Sequence, residues 1–537
     1  MRHSLKCRGG TAAVALGVAL LGAGAAGLAR ADEVKPIDAP GELAADPSFG
    51  LDPATPQVAA LPGGVTPSYG QRSLSEEEWR FDFHGLVTAP LNMGFNTRSA
   101  QGMTAGPGQS NLVLHAPPVV PDDLETFSHT GVTPTTYAQM LFTESNSIVS
   151  ANMSIIARQA NVSEGFLEPA DQLGITDVYL SFLPPLPNKK LRLQVLAGAF
   201  TARYGSPGEY DEGRYGTPLI AQINGVGQLA TLRYAVLPGW VFMAEEGLHG
   251  QTNKANSGIT PDVWNNFADP GTGSTFVAHA HLGAGYARWL TLGAHFIRAF
   301  SLDDRTGQNE PDGRINIFAG DVRLGLGRFG HFYAAYSYTS ALQARTLSRV
   351  ISVLNTQGGP GLMQEYLGPN SGGTGTLNTA GFQYDLSIGK LVSYPVPFSG
   401  DGPDLVVSLF GMFTHVTSSD PGNFDNFLPD PTTTAWNGAN KVKAGLEGTY
   451  SLLSWLATSL RFDYVDPYTK ESGLGFSEIS PRLIFHSDWQ STDQIVLQYT
   501  HWFYGNLTPT RAGEPPMYDF ATVPDPNMLS ISASMWW

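Results

Sequence analysis

One short stretch gathers Arg203, Tyr204, Glu209, Tyr210, Asp211, Glu212, Arg214 and Tyr215, with Gly205, Gly208, Gly213 and Gly216 between them. Carboxylates, guanidinium groups and phenol rings at this density suit hydrogen bonding to a hydrated solute and stacking against it. That chemistry needs the stretch to fold into a cavity; left outside, it is a solvated surface loop, and the residues leave both readings open. Other groupings point less far. His486, Ser487 and Asp488 are the residue types of a hydrolytic triad, but a triad is defined by geometry, not by adjacency. The chain carries no nucleophile-elbow or metal-helix motif. Asp303, Asp304, Glu310 and Asp312 offer oxygen ligands at a spacing that matches no calcium loop. No catalytic residue, metal ligand or cofactor is therefore assigned, and the expectation is a protein that is not an enzyme. The single cysteine, Cys7, rules out a disulfide within the chain.

The elements that must position the 203–218 stretch are β-strands. In the final ten residues, Leu529, Ile531, Ala533, Met535 and Trp537 alternate with Ser530, Ser532 and Ser534. Extended chain sends alternate side chains to opposite faces, so one face is apolar and the other small and polar. Ending such a strand on two tryptophans suits a lipid-facing wall, since indoles gather at the membrane interface.

From Trp79 onward the pattern recurs. Candidate strands are 79–95, 135–144, 147–158, 174–185, 191–204, 227–237, 240–250, 274–287, 289–301, 313–327, 331–343, 375–390, 404–417, 440–452, 455–466, 475–487, 494–504 and 526–537. Connections alternate. Short ones such as Leu237-Pro238-Gly239 and Ala287-Arg288 follow even-numbered strands, and long ones such as 96–134, 251–273 and 344–374 follow odd-numbered strands. The fold class read from this is all-β: a transmembrane antiparallel β-barrel of about 18 strands (16–18), with short periplasmic turns and long outer loops. Within 344–374, Thr346 to Leu354 has the spacing of a short amphipathic helix. A barrel of this strand number is too wide for side chains to fill and leaves an aqueous channel.

Setting the apolar face toward lipid fixes what points inward. Arg80, Asp82 and His84 oppose Phe81, Phe83 and Val87; Arg192 and Gln194 oppose Leu191, Leu193 and Val195. Lys441, Lys443 and Glu447 oppose Val442, Ala444 and Leu446, while Arg461 and Asp463 oppose Leu460, Phe462 and Tyr464. Arg233, Asp321, Arg323, Glu478 and Arg482 join the inner set. Both signs occur, so the lumen is expected to be wet, its charges solvated by channel water and paired across strands. Trp79, Trp240, Trp289, Phe332, Trp455, Trp489 and Trp502 are expected to form interfacial girdles.

Ahead of the strands, residues 1–31 carry Arg2, Lys6 and Arg8, an apolar run and Ala29-Arg30-Ala31, the layout of a cleavable secretory signal peptide. Residues 32–78 hold Pro36, Pro40, Pro47, Pro53, Pro56, Pro62 and Pro67 with little apolar periodicity, and read as an extended periplasmic arm. Residues 79–537 form the barrel domain. A formal net charge of −16 makes nucleic acid an unlikely partner.

Phe83-His84-Gly85 in the opening strand resembles the opening of the maltoporin-type sugar porins, and Met535-Trp536-Trp537 resembles their ending. The segment Gly198-Ala199-Phe200 through Ile223-Asn224-Gly225-Val226-Gly227 is similar in layout to the part of those porins that bends inward. The resemblance implies a bacterial outer-membrane porin with 18 strands, a homotrimer of channels that pass oligosaccharides. An aromatic final residue, here Trp537, resembles the signal read by the outer-membrane assembly machinery. Residues 86–90 depart from the pattern expected after the opening motif, and no cysteine pair is present to staple the first outer loop. The leading expectation is passive diffusion of small hydrophilic solutes, sugars among them, across the outer membrane of a Gram-negative-type bacterium. The alternatives are a structural or adhesive barrel and a substrate-specific transporter without an open pore.

Overall fold

The computed structural model describes residues 79–95, 137–158, 173–205, 220–250, 275–301, 314–342, 354–356, 375–393, 400–418, 439–466, 476–504 and 527–536, apart from a few positions in the short turns. The chain forms β1 (Arg80–Phe95), β2 (Tyr137–Ser145), β3 (Val149–Arg158), β4 (Leu173–Phe182), β5 (Leu191–Tyr204), β6 (Ala221–Leu237), β7 (Trp240–Gly250), β8 (Thr275–Tyr286), β9 (Leu290–Ser301) and β10 (Arg314–Gly325). It continues through β11 (His331–Leu342), β12 (Leu354–Thr356), β13 (Gly375–Ser387), β14 (Asp404–Ser418), β15 (Ala439–Leu453), β16 (Leu456–Asp466), β17 (Phe476–Phe485), β18 (Gln494–Tyr504) and β19 (Asn527–Trp536). Among the described residues there is one α-helix, α1, spanning Ile388–Val392.

Every strand except β12 pairs antiparallel with its sequence neighbours, with β11 passing directly to β13. β19 then pairs with β1 from Leu86↔Trp536 to Phe95↔Asn527, which brings the ladder back to its start. The ring has 18 strands, as the periodicity predicted, and closure leaves no edge strand in the wall.

The two faces are the inverse of a soluble protein's. Outside stand Phe81, Leu180, Leu282, Phe318, Leu446, Leu460, Phe462 and Ile495, all exposed. Inside, Gln139, Asn152, Glu245, Thr379, Lys443, Arg461, Glu478 and Thr500 are buried. An apolar surface of this extent requires a non-aqueous neighbour, which a bilayer supplies. Connections are short at one rim, as at Pro238-Gly239 between β6 and β7, and mostly longer at the other. Gly239 adopts φ +79°, the left-handed conformation that a tight turn demands there. Aromatics mark this rim: Trp240 stacks beside Phe242 at 6.1 Å and tilts against Tyr286 at 5.0 Å, and Trp455 stacks beside Phe485 at 6.4 Å.

Four expectations are corrected. β6 begins at Ala221, not at 227. β13 stops at Ser387 instead of running to 390, because the Ser387 hydroxyl caps α1 by accepting from the Lys390 N–H at 3.1 Å and donates to Asp404 at 2.6 Å. Leu354 lies in β12 and so belongs to no helix; the rest of Thr346–Leu354 falls outside the described residues. Trp502 is no girdle residue: it shares the inner face with Gln498 and Thr500 and is 1% exposed.

Candidate functional site

One hairpin leaves the wall. β5 pairs with β4 only from Val195 to Ala199, and β6 pairs with β7 only from Val226 onward. Yet β5 and β6 stay paired to each other out to Tyr204↔Ala221. Residues 200–204 and 221–225 thus form an arm without either wall neighbour. Its root is the directly opposed pair Gly198↔Gly227. A Cβ on Gly198 would run into the Val178 carbonyl and Tyr179, and one on Gly227 into the Leu248 carbonyl and His249. Gly198 also holds φ +137°, so glycine is required there by both space and conformation.

The arm lies across the inner face of β7 to β11. Tyr204, fully buried, donates to Glu245 Oε1 of β7 at 2.8 Å and bonds His279 Nδ1 of β8. Its ring sits 5.4 Å from that of His295 on β9. Gly205, beyond the end of β5, accepts from the Tyr333 hydroxyl of β11 at 2.5 Å. On the other edge, β12 pairs antiparallel with Ala221–Ile223 of β6, taking the place that β7 vacates. At the root of the arm, Phe200 packs with Tyr179, Leu196 and Leu229 in a small apolar core.

A second inner grouping stands on β15 to β17. Glu447 is held by Arg482 Nη2 at 2.5 Å, by Arg461 Nη1 at 3.5 Å and by the Ser459 hydroxyl at 2.8 Å. Arg461 Nε also donates to Asp463 at 2.9 Å. Lys443, Arg461, Asp463 and Glu478 are no more than 2% exposed. The wet, solvated wall that the sequence suggested is here packed: these charges close over one another, as interlocked ion pairs do when their attraction replaces lost hydration.

Of the residues singled out from sequence, Tyr204 is the hub of the arm, and Arg203 lies beside it in β5. Glu209, Tyr210, Asp211, Glu212, Arg214 and Tyr215 fall outside the described residues, as does Trp537. Arg461, Asp463 and Arg482 meet in one grouping. Arg323 is brought to the other, its guanidinium 5.3 Å from the Tyr333 ring. Arg192 and Arg233 oppose each other across β5 and β6 near the short-turn rim, apart from both groupings. Arg80, Asp82 and His84 lie in β1, where Asp82 and His84 are half-buried.

Sequence reading missed His249, His279, His281, His295 and Glu245. The signal was available: His279 and His281 are two apart, with Ala278 and Ala280 on the opposite parity. Ser487, by contrast, donates to Asp493 at 2.6 Å, and Asp488 accepts from the Trp489 N–H at 2.8 Å, so both serve the turn before β18.

No family model matches the chain, and no curated protein does. Among solved structures it is similar to OmpT, an outer-membrane protein of Vibrio cholerae in trimer form, at 10% identity and a TM-score of 0.36, covering 86% of this chain and 100% of that one. It is also similar to OccAB1 of Acinetobacter baumannii, at 10% identity and a TM-score of 0.41, covering 86% and 97%. OccK3 (OpdO) of Pseudomonas aeruginosa gives 12% identity and a TM-score of 0.38, covering 86% and 96%. Scores at this level leave the barrel's own ladder and inner face to carry the functional reading.

Proposed function

We propose that the chain is an outer-membrane porin, a channel for passive diffusion of small hydrophilic solutes that is narrowed by the β5–β6 arm. The observation that carries this is the closed ring of 18 strands with an apolar outside and a polar, charged inside. A ring of that size encloses more space than wall side chains fill. The arm then sets the width, seated by the buried Tyr204 grouping. Sugars are the solute class that the opening and closing motifs favour. Residues 1–31 would direct export and Trp537 would be read by the outer-membrane assembly machinery of a Gram-negative-type bacterium, with three copies assembling as a homotrimer.

The second reading, a barrel without a standing open pore, draws on the burial of the arm and of Arg461 and Glu478. Planar-bilayer recording of the refolded chain separates the two. Discrete conductance steps, blocked by sugars and not by small anions, support the sugar porin. Steps without sugar block keep the porin and drop the sugar, while silence from a folded barrel removes the channel.

A further inference from the structure

Four histidines meet under the arm. His249 on β7, His279 and His281 on β8 and His295 on β9 are each 5% exposed or less. His279 Nε2 lies 3.1 Å from His249 Nδ1, and the His281 and His295 rings stack at 4.2 Å with 7° between their planes. The groups facing them are Tyr204 of β5, Glu245 of β7, Asp321 and Arg323 of β10 and Tyr333 of β11. Glu245 accepts from the Tyr204 hydroxyl and also from Thr231 of β6 at 3.2 Å. Asp321 bonds His295 Nε2 at 2.5 Å. A metal is not the occupant these contacts prepare for, since among the described residues no three ligating groups converge on one point.

We propose that this cluster is an acid-operated release for the arm. When all four rings are neutral the bonds run one way. His249 Nδ1–H donates to His279 Nε2, His279 Nδ1–H donates to the Tyr204 oxygen, and Tyr204 donates to Glu245. An added proton works against this arrangement. On His279 it turns Nε2 into a donor facing the His249 donor and leaves a charge buried beneath Tyr204. On His281 it sets a cation into the stack with His295, with the Arg323 charge nearby. The arm rests on these same rings through Tyr204 and through Phe200, whose ring centroid is 4.5 Å from that of His249. Acid therefore removes its seat, in the range where histidine takes up protons.

This inference rests on the seating of the arm and not on passage of solute. The test uses the full chain with Cys7→Ser, spin-labelled at Asn224→Cys on the arm and Ala380→Cys on the outer face of β13. The label-to-label distance is measured in bilayers at about pH 7.5 and about pH 4.5, either side of the ordinary histidine range. A single distance at neutral pH that lengthens or broadens in acid is expected, as is its persistence in acid in a His279→Gln/His281→Gln variant. A distance unchanged by acid in the chain with all four histidines overturns the proposal, whatever the variant does. Conductance recorded in parallel separates the two readings. A silent barrel whose arm moves leaves the release standing and removes the channel; a conducting barrel whose arm stays seated does the reverse.

Discussion

Tyr204 illustrates how much a single side chain on this arm carries. Replacing it with phenylalanine keeps the ring against His279 and His295 but removes the donor to Glu245, a buried carboxylate. Losing one partner of such a bond costs about 1–3 kcal/mol. Tyr204→Phe should therefore lower the urea midpoint of the refolded barrel and speed hydrogen exchange at residues 221–223; unchanged exchange there would show that the arm is held otherwise. On the far wall, Arg482→Met leaves Glu447 with the longer Arg461 contact, and a broken buried pair costs about 3 kcal/mol. Adding Glu447→Leu should recover most of that loss, because the uncompensated charge goes with it. If the double variant is no more stable than Arg482→Met alone, the pair is not what holds that wall. The two sites were not equally legible. Arg461, Asp463 and Arg482 could be read from parity, because a charge between two large apolar residues on a strand must point the other way. His279 was overlooked because an imidazole between Ala278 and Ala280 gives a weak contrast of faces.

At the scale of elements, strand existence was legible almost throughout, since a wall with lipid outside and polar groups inside enforces strict alternation. It failed where that contrast lapses. Residues 221–225 sit in the arm, away from lipid, so their apolar members Ala221 and Ile223 are buried inward and nothing marks a lipid face. β12 is three residues long, too short for any period to appear. The root of the arm gives a direct test. Gly198→Val places a β-branched side chain at φ +137° against the Val178 carbonyl, a strain of roughly 2 kcal/mol or more. The barrel should still form but with its arm displaced, seen as altered conductance and a changed distance between labels at 224 and 380. Identical values for both would mean that the bend does not depend on this glycine. A surface turn provides a pH test. The Ser487 hydroxyl beside Asp493 holds that carboxyl below its usual range. A lowered folded value means that the turn is favoured above the ordinary carboxylate pKa of about 3.9 and loses that support as pH falls through the lowered value. Asp493→Asn should abolish the acid-side rise in exchange of the Asp488 amide, which donates to Ser491 Oγ at 3.1 Å in the same turn.

For the molecule as a whole, the decisive question is which solvent each face meets, and register makes it answerable. Leu460 and Ser459 are neighbours near the middle of β16. Leu460 is 54% exposed on the outside and Ser459 is 3% exposed on the inside, bonded to Glu447. A soluble barrel would tolerate lysine at the exposed position and resist it at the buried one. A barrel in a bilayer reverses the outer cost, because a cation facing hydrocarbon near the midplane costs roughly 2–4 kcal/mol. Leu460→Lys should therefore destabilise folding into bilayers by that amount, and the same change at Leu446, also outward and central on β15, should do likewise. Thr458→Lys, on the same outer face but nearer the short-turn rim, should cost about 0–1 kcal/mol, because there the ammonium reaches the interface. Such a depth gradient along one face is something only a lipid slab imposes. Equal small costs at 446, 458 and 460 would place the apolar belt against water or another protein, and the membrane reading of the ring would fail with them.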